Sequence, residues 1–207
     1  MTTVRTIRNV CSFVFVVIAP ALGQNQRQPV PAATGPAYGV SVGYTSVTMA
    51  IPGAGHVNLN GMNVSGSVDL SPRWGATLDL NYARAADVLG TRHPAYLLSS
   101  LLGPVFYPAE RRDMRVFLHA LAGVGVVDGA LPRNDAPYRH GYVVRPSYDL
   151  GGGFEHALSG PFTMRVTGDY LRTSFIDGAG AVQPQNNLRL GVGFVFPSRR
   201  KSTDLTH

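Results

Sequence analysis

From Tyr38 to Phe196 the chain is written in a two-residue period. In RWGATLDLNYAR, residues 73–84, Trp74, Ala76, Leu78, Leu80 and Tyr82 fall on one row, with Gly75, Thr77, Asp79, Asn81 and Ala83 on the other. Successive side chains of a strand point to opposite faces, so this alternation predicts a strand. Seven more segments carry strand character, and no stretch has a convincing helical period. YGVSVGYTSVTMA sets Tyr38, Val40, Val42 and Tyr44 on one face; GMNVSGSVDL sets Met62, Val64, Val68 and Leu70 against Asn63, Ser65, Ser67 and Asp69. Ser71-Pro72-Arg73 then turns that strand into the next. The fourth, near 96–107, is apolar on both rows, and Gly103-Pro104 predicts a bend or bulge within it. The fifth, RVFLHALAGVGVV, places Val116 to Val126 opposite Phe117, His119, Leu121, Gly123 and Gly125. The sixth spans about 144–156, the seventh is FTMRVTGDYLRT and the eighth NNLRLGVGFVF.

Alternation alone fits both a soluble sandwich and a membrane barrel with its apolar row outside. Strand length separates them. Each segment runs to roughly ten to thirteen residues, whereas soluble strands have a mode of about five to six and a tilted strand crossing a bilayer needs about 9 to 11. Connections point the same way: short turns at 71–73, 108–113 and 157–161 alternate with longer ones at 51–59, 84–94, 127–142 and 174–185, as the two rims of an outer-membrane barrel do. Aromatic residues (Tyr44, Trp74, Tyr82, Tyr107, Tyr148, Phe162, Tyr170, Phe196) cluster near strand ends, where interface girdles form. An unpaired edge in lipid costs several kcal/mol per backbone group, so first and last strands must pair. The predicted fold is a closed, eight-stranded, antiparallel up-and-down transmembrane β-barrel. Its small inward residues (Gly123, Gly125, Gly151, Gly153, Gly191, Gly193) suit a narrow, side-chain-filled lumen rather than a wide diffusion pore.

Composition sharpens the picture at the N-terminus. Arg5 and Arg8 precede an apolar run, Val10 to Ile18, and small residues follow at Ala21 and Gly23; this reads as a secretory signal over 1–23. Residues 24–37, rich in Gln and Pro, read as a disordered lead-in, 38–196 as the barrel domain and 197–207 as a short polar tail. The one cysteine, Cys11, lies in the leader, so the exported chain has no disulfide. Only 14% of residues are charged, against about 25% in ordinary soluble domains. The net charge of +6 is scattered, which argues against a nucleic-acid partner.

Seven charges fall on predicted inward rows: Asp69, Asp79, Asp149, Glu155, Arg165, Asp169 and Arg189. Unpaired charge inside a barrel is costly, so they are expected to neutralise one another, with Arg165 and Asp169 in a single network. His93, His119, His140 and His156 show no metal-ligand spacing, and LGGGF lacks the Gly-x-Gly-x-x-Gly spacing of a phosphate cradle; neither a metal nor a cofactor site is expected.

The segments LLGPVFY, VFLHALAGVGV, LGGGFEH, RVTGDYLRT and NNLRLGVGFVF resemble, in order and spacing, the OmpA-like eight-stranded outer-membrane β-barrels of Gram-negative bacteria. The resemblance covers about 38–196. It implies residence in the cell outer membrane, contact with outer-membrane lipid and with the barrel-insertion machinery, and a monomer without enzymatic activity, acting as structural element, narrow channel or loop-based binding platform. It also implies that Phe196 is the aromatic insertion signal, followed here by residues 197–207. Two alternatives stand beside it. A lipid-modifying enzyme needs a serine and histidine at the upper rim, such as Ser46 or Ser174 with His140. A soluble lipocalin-like carrier needs the apolar row inside.

Overall fold

The computed structural model describes residues 38–51, 55–90, 92–111, 113–133, 136–158, 162–176 and 180–198. The expected signal, lead-in and most of the tail lie outside these residues. Eight antiparallel strands follow in order: β1 Tyr38–Ile51, β2 Gly55–Asp69, β3 Trp74–Ala85, β4 Ala95–Arg111, β5 Met114–Arg133, β6 Ala136–Ala157, β7 Thr163–Ile176 and β8 Val182–Ser198. Each pairs with its sequence neighbours, and β1 pairs with β8 from Tyr38↔Ser198 to Thr48↔Leu188. The β1–β8 pairing closes the sheet on itself, so the predicted closed barrel is borne out.

The facing of the rows is also as the alternation predicts. On β3, Trp74, Leu78, Leu80 and Tyr82 are exposed outside, while Thr77, Asp79 and Asn81 are buried within. β4 resolves in favour of Leu98 and Leu102 outside and Leu97, Leu101 and Val105 inside. The outward rows form an apolar belt. At the rim that carries the chain ends it is edged by Tyr38, Trp74, Phe162 and Phe196, and towards the other rim by Tyr44, Tyr82, Tyr148 and Tyr170. Two of the upper tyrosines hydrogen-bond away from the belt, Tyr44 Oη donating to Asn60 Oδ1 and Tyr170 Oη to Asn186 Oδ1, each at 2.6 Å. A ring in apolar surroundings with its hydroxyl on a polar neighbour is the arrangement an interface favours.

Above this second girdle the chemistry of the rows inverts. On β1 the apolar residues shift from Val40, Val42 and Tyr44, outside, to Val47 and Met49, fully buried inside, while Ser46 and Thr48 now face out. β2 does the same with Leu59 and Val57 inside and Asn60 and Asn58 outside, β3 with Ala83 and Ala85 around an outward Arg84, and β7 with Leu171 and Phe175 around an outward Arg172. The backbone alternation is unbroken; only the solvent on each side has changed. Below the girdle the barrel is apolar outside, and above it the barrel is packed like a soluble protein, with a core of Val47, Met49, Leu59, Leu97, Leu101, Leu121, Leu171 and Phe175 among others.

Four expectations need correction. The strands run to 12–22 residues, not ten to thirteen, because segments expected to be long loops continue as paired hairpins. β5 and β6 pair up to Arg133↔Ala136 and β1 and β2 up to Ile51↔Gly55, and β4 extends to Arg111. Among the described residues, a longer irregular connection remains only between β3 and β4. The bulge of β4 falls between Phe106 and Ala109, not at Gly103-Pro104, whose register with β3 is regular. Tyr107 is not a girdle residue: it points inward, buried, with the Arg115 guanidinium 3.3 Å from its ring centroid. It stands on the inward row of β4, which the doubly apolar sequence of that strand does not reveal.

Candidate functional site: ion pairs beneath an apolar plug

Eight strands enclose too little room for a solvent column, so inward charges meet each other across the lumen. They form three groups along the barrel. Nearest the rim with the chain ends, Arg115 Nη1 bonds Asp69 Oδ2 at 2.9 Å, with Glu110 at 3.8 Å. These side chains remain partly exposed. Next, Arg165 binds Glu155 through Nε at 2.9 Å and Nη2 at 2.6 Å. Its Nη1 reaches the hydroxyls of Ser65 and Ser41 at 3.0 and 3.3 Å, and its guanidinium lies over Phe117, 4.7 Å from the ring centroid.

The third group is the most deeply buried. Arg189 on β8 is held by three carboxylates from three strands: Asp79 Oδ1 at 2.7 Å, Asp169 Oδ2 at 2.9 Å and Asp149 Oδ2 at 3.1 Å. Asn63 Nδ2 donates to the other oxygen of Asp79 at 2.8 Å. The remaining oxygens of the other two aspartates turn away from Arg189 and converge on His119 Nε2, Asp149 Oδ1 at 2.9 Å and Asp169 Oδ1 at 3.1 Å. Asp149 Oδ2 and Asp169 Oδ1 lack an aligned hydrogen-bond donor although cationic or imidazole nitrogens lie 3.1 Å away; proximity of charge, more than directional bonding, holds them.

Neighbouring backbones approach closely around these groups. Gly43 and Gly193 face one another across the β1–β8 seam, and a Cβ on Gly43 would lie 2.8 Å from the Gly193 Cα. Only glycine fits both sides of that pair.

Each of the seven charges expected to face inward enters one of these ion groups. They divide as Asp69 with Arg115, Glu155 with Arg165, and Asp79, Asp149 and Asp169 with Arg189. Among the described residues no hydrogen bond or ion pair joins Arg165 to Asp169, so the single network expected for those two is instead two groups. The sequence reading omitted Arg115 and His119 as partners. His119 stands on the same inward row as Phe117 and Leu121, a placement that pointed to the lumen without giving it charge.

Beside and beyond the third group Leu97, Leu101, Leu121, Leu171 and Phe175 are buried, each no more than 3% exposed. Leu101 is the register partner of Asp79, and Leu121 and Leu171 are partners of Asp149, while Ser99 and Thr173, also buried, alternate with them on the inward rows of β4 and β7. The rim residues named as enzyme candidates fall on different strands: Ser46 of β1 pairs with Asn60 and Leu190, Ser174 of β7 with Pro184, and His140 of β6 with Ala130 on the β5–β6 hairpin. The side chain of His140 lies outside the described residues. Phe196 faces outward on β8, opposite Val40, its ring 5.8 Å from that of Phe162.

Closed topology, outward apolar belt and charged interior together define the class of eight-stranded, antiparallel transmembrane β-barrels. Within that class the chain is similar to the crystal structure of Ail, the attachment invasion locus protein of Yersinia pestis, at 20% identity and a TM-score of 0.54, covering 77% of this chain and 98% of that one. Neisserial surface protein A is similar at 10% identity and a TM-score of 0.60, over 78% of this chain and 98% of that one. The outer membrane protein AlkL, solved in DMPC bilayers, is similar at 12% identity and 0.51, over 87% and 99%. At such identities the likeness is one of fold. No protein-family model and no curated protein matches the chain.

Proposed function

We propose that this chain is a non-enzymatic integral outer-membrane β-barrel with a sealed lumen, which presents its projecting hairpins as a binding platform. The observation that carries this reading is the inversion of the rows at the Tyr44–Tyr82–Tyr170 level. Below it, exposed Val, Leu and Phe side chains are stable only against lipid; above it, polar side chains face outward around a buried cluster that includes Val47, Met49, Leu59 and Phe175. A lipocalin-like carrier is disfavoured, because it would need its apolar row inside over the whole barrel height. A channel is disfavoured by the filled interior, where Leu97, Leu101, Leu121, Leu171 and Phe175 are buried in a barrel of only eight strands, whose lumen is largely taken up by side chains. The longest hairpin, β5–β6, runs well beyond the girdle and bears Arg133, Arg139, His140 and Tyr138 near its tip, which makes it the first segment to examine for a partner. Phe196, exposed near the end of β8, fits the role of the aromatic recognised by the barrel-insertion machinery, and the barrel is read as a monomer in contact with outer-membrane lipid.

Two measurements test this. The protein is expected to need detergent for extraction from the envelope and to change its gel mobility on boiling; recovery in the soluble periplasmic fraction would overturn the membrane assignment. Refolded into planar bilayers it is expected to give no stepwise conductance, and regular single-channel openings would overturn the sealed lumen.

A further inference from the structure

The deepest ion group does not balance its own charge. Asp79, Asp149 and Asp169 bring three negative charges to a site where Arg189 supplies one positive charge, and all four residues are at least nine-tenths buried. Protonation of His119 would still leave one negative charge unmatched. Uncompensated charge at such depth costs several kcal/mol, so the cluster must take up either protons or a cation, and the geometry indicates where a cation fits. Arg189 engages Asp149 and Asp169 through their Oδ2 atoms, which turns both Oδ1 atoms toward His119 Nε2. These three potential ligand atoms lie within 4.8 Å of one another. We propose that His119 Nε2, Asp149 Oδ1 and Asp169 Oδ1 bind a divalent transition-metal ion inside the barrel, with Arg189 orienting the two carboxylates from behind.

A divalent ion with neutral His119 brings the cluster to zero net charge. One imidazole nitrogen and two carboxylate oxygens with an open position form a ligand set that such ions accept. Carboxylates fixed by a guanidinium are held as outer-sphere partners hold metal ligands. A separate feature also points to a ligand. Beside His119 lies a cavity of about 40 Å³, shared with Asp79, Arg189 and Thr45, room for about two or three waters. Thr45, 1% exposed and with no hydrogen-bond partner for its Oγ1, also lines this cavity, which meets the site on its His119 side and not at Asp149 or Asp169; at the site itself Asp169 Oδ1, on a residue 2% exposed, has no hydrogen-bond donor. Binding requires Nε2 to give up its proton to solvent, so uptake is expected during folding, while the lumen is still open. The assignment depends only on the lumen and not on what the hairpins bind.

The probe is Co²⁺, with the tag-free chain refolded in detergent with and without the ion and then dialysed. Folding is checked independently by the mobility change on boiling. The folded protein is expected to retain one equivalent of Co²⁺ through dialysis against EDTA, with visible absorption bands of imidazole–carboxylate coordination, and chain refolded with Zn²⁺ is expected to unfold at a higher temperature than chain refolded without metal. His119→Ala and, as a variant that keeps the shape of the site, Asp169→Asn are expected to weaken uptake by at least about tenfold. His56→Ala, remote from the site, is expected to bind as the parent does. Folded parent protein that retains no stoichiometric Co²⁺ would overturn the proposal. Retention unaltered in both folded site variants would overturn it equally, by tracing the ion to surface histidines.

Discussion

Arg189 carries the heaviest electrostatic burden of any residue in the barrel, because its three carboxylate partners come from β3, β6 and β7 and all are shielded from water. Replacing it by Met leaves those carboxylates without their cation, and breaking a buried pair from one side costs about 3–5 kcal/mol. Arg115→Met removes a partner from Asp69 where both side chains keep about a fifth of their surface exposed, so a loss of about 1 kcal/mol or less is expected. Urea-dependent folding into lipid vesicles checks both; equal losses would contradict the ranking by depth. The seven inward charges were legible because a charge on the polar row of a membrane strand has nowhere to go but the lumen. His119 was not, because a histidine among Phe, Leu and Gly looks like packing until β6 and β7 bring Asp149 and Asp169 to it. Tyr107 misled for a related reason: in a strand apolar on both faces, an aromatic residue gives no sign of which way it points.

At the scale of the strand, the inversion of the rows makes neighbouring positions answer differently to the same substitution. Val42→Lys puts a charge on the outward belt of β1, whereas Ser46→Lys puts it four residues on, above Tyr44, where the outward face is polar. The first is expected to cost about 2–4 kcal/mol if it sits near the bilayer midplane, the second at most about 1. Leu78→Arg, at the centre of the β3 outward row, is expected to behave as Val42→Lys does, and Thr77→Ser beside it to be nearly silent; vesicle folding titrations read all four. The strands themselves were legible from their period, and the short turns from residues such as Ser71-Pro72-Arg73. The inversion is also written in the chain, as Val47 and Met49 follow Val40 and Val42 out of phase, but it is visible only once one expects the solvent to change part-way along a strand. Strand ends were missed because Pro, Gly, Asn and Asp at 129–137 look like a loop. Two strands already paired in the barrel continue to satisfy each other's backbone groups beyond it, and this local pairing outweighs the propensities.

For the molecule as a whole, closure, an apolar exterior and a filled interior follow from one requirement, that every backbone polar group in lipid be bonded within the protein. The fold class was therefore the most legible feature of the sequence. Whether the lumen conducts was not, since that depends on which residues of the doubly apolar β4 point inward: Leu97 and Leu101 do, and the proposed sealed lumen draws on them. The central claim is that this is a lipid-facing barrel whose outer face turns from apolar to polar at Tyr44. Its most direct test is a nitroxide scan along β1, one cysteine at a time in a Cys11→Ser background, with the protein refolded in lipid bilayers. Collisions with dissolved oxygen are expected to dominate at Val40 and Val42, and collisions with a water-soluble nickel chelate at Ser46 and Thr48, while labels at Ser41, Thr45 and Val47 meet neither. Oxygen-rich environments persisting at Ser46 and Thr48, or appearing at Val47, would contradict it.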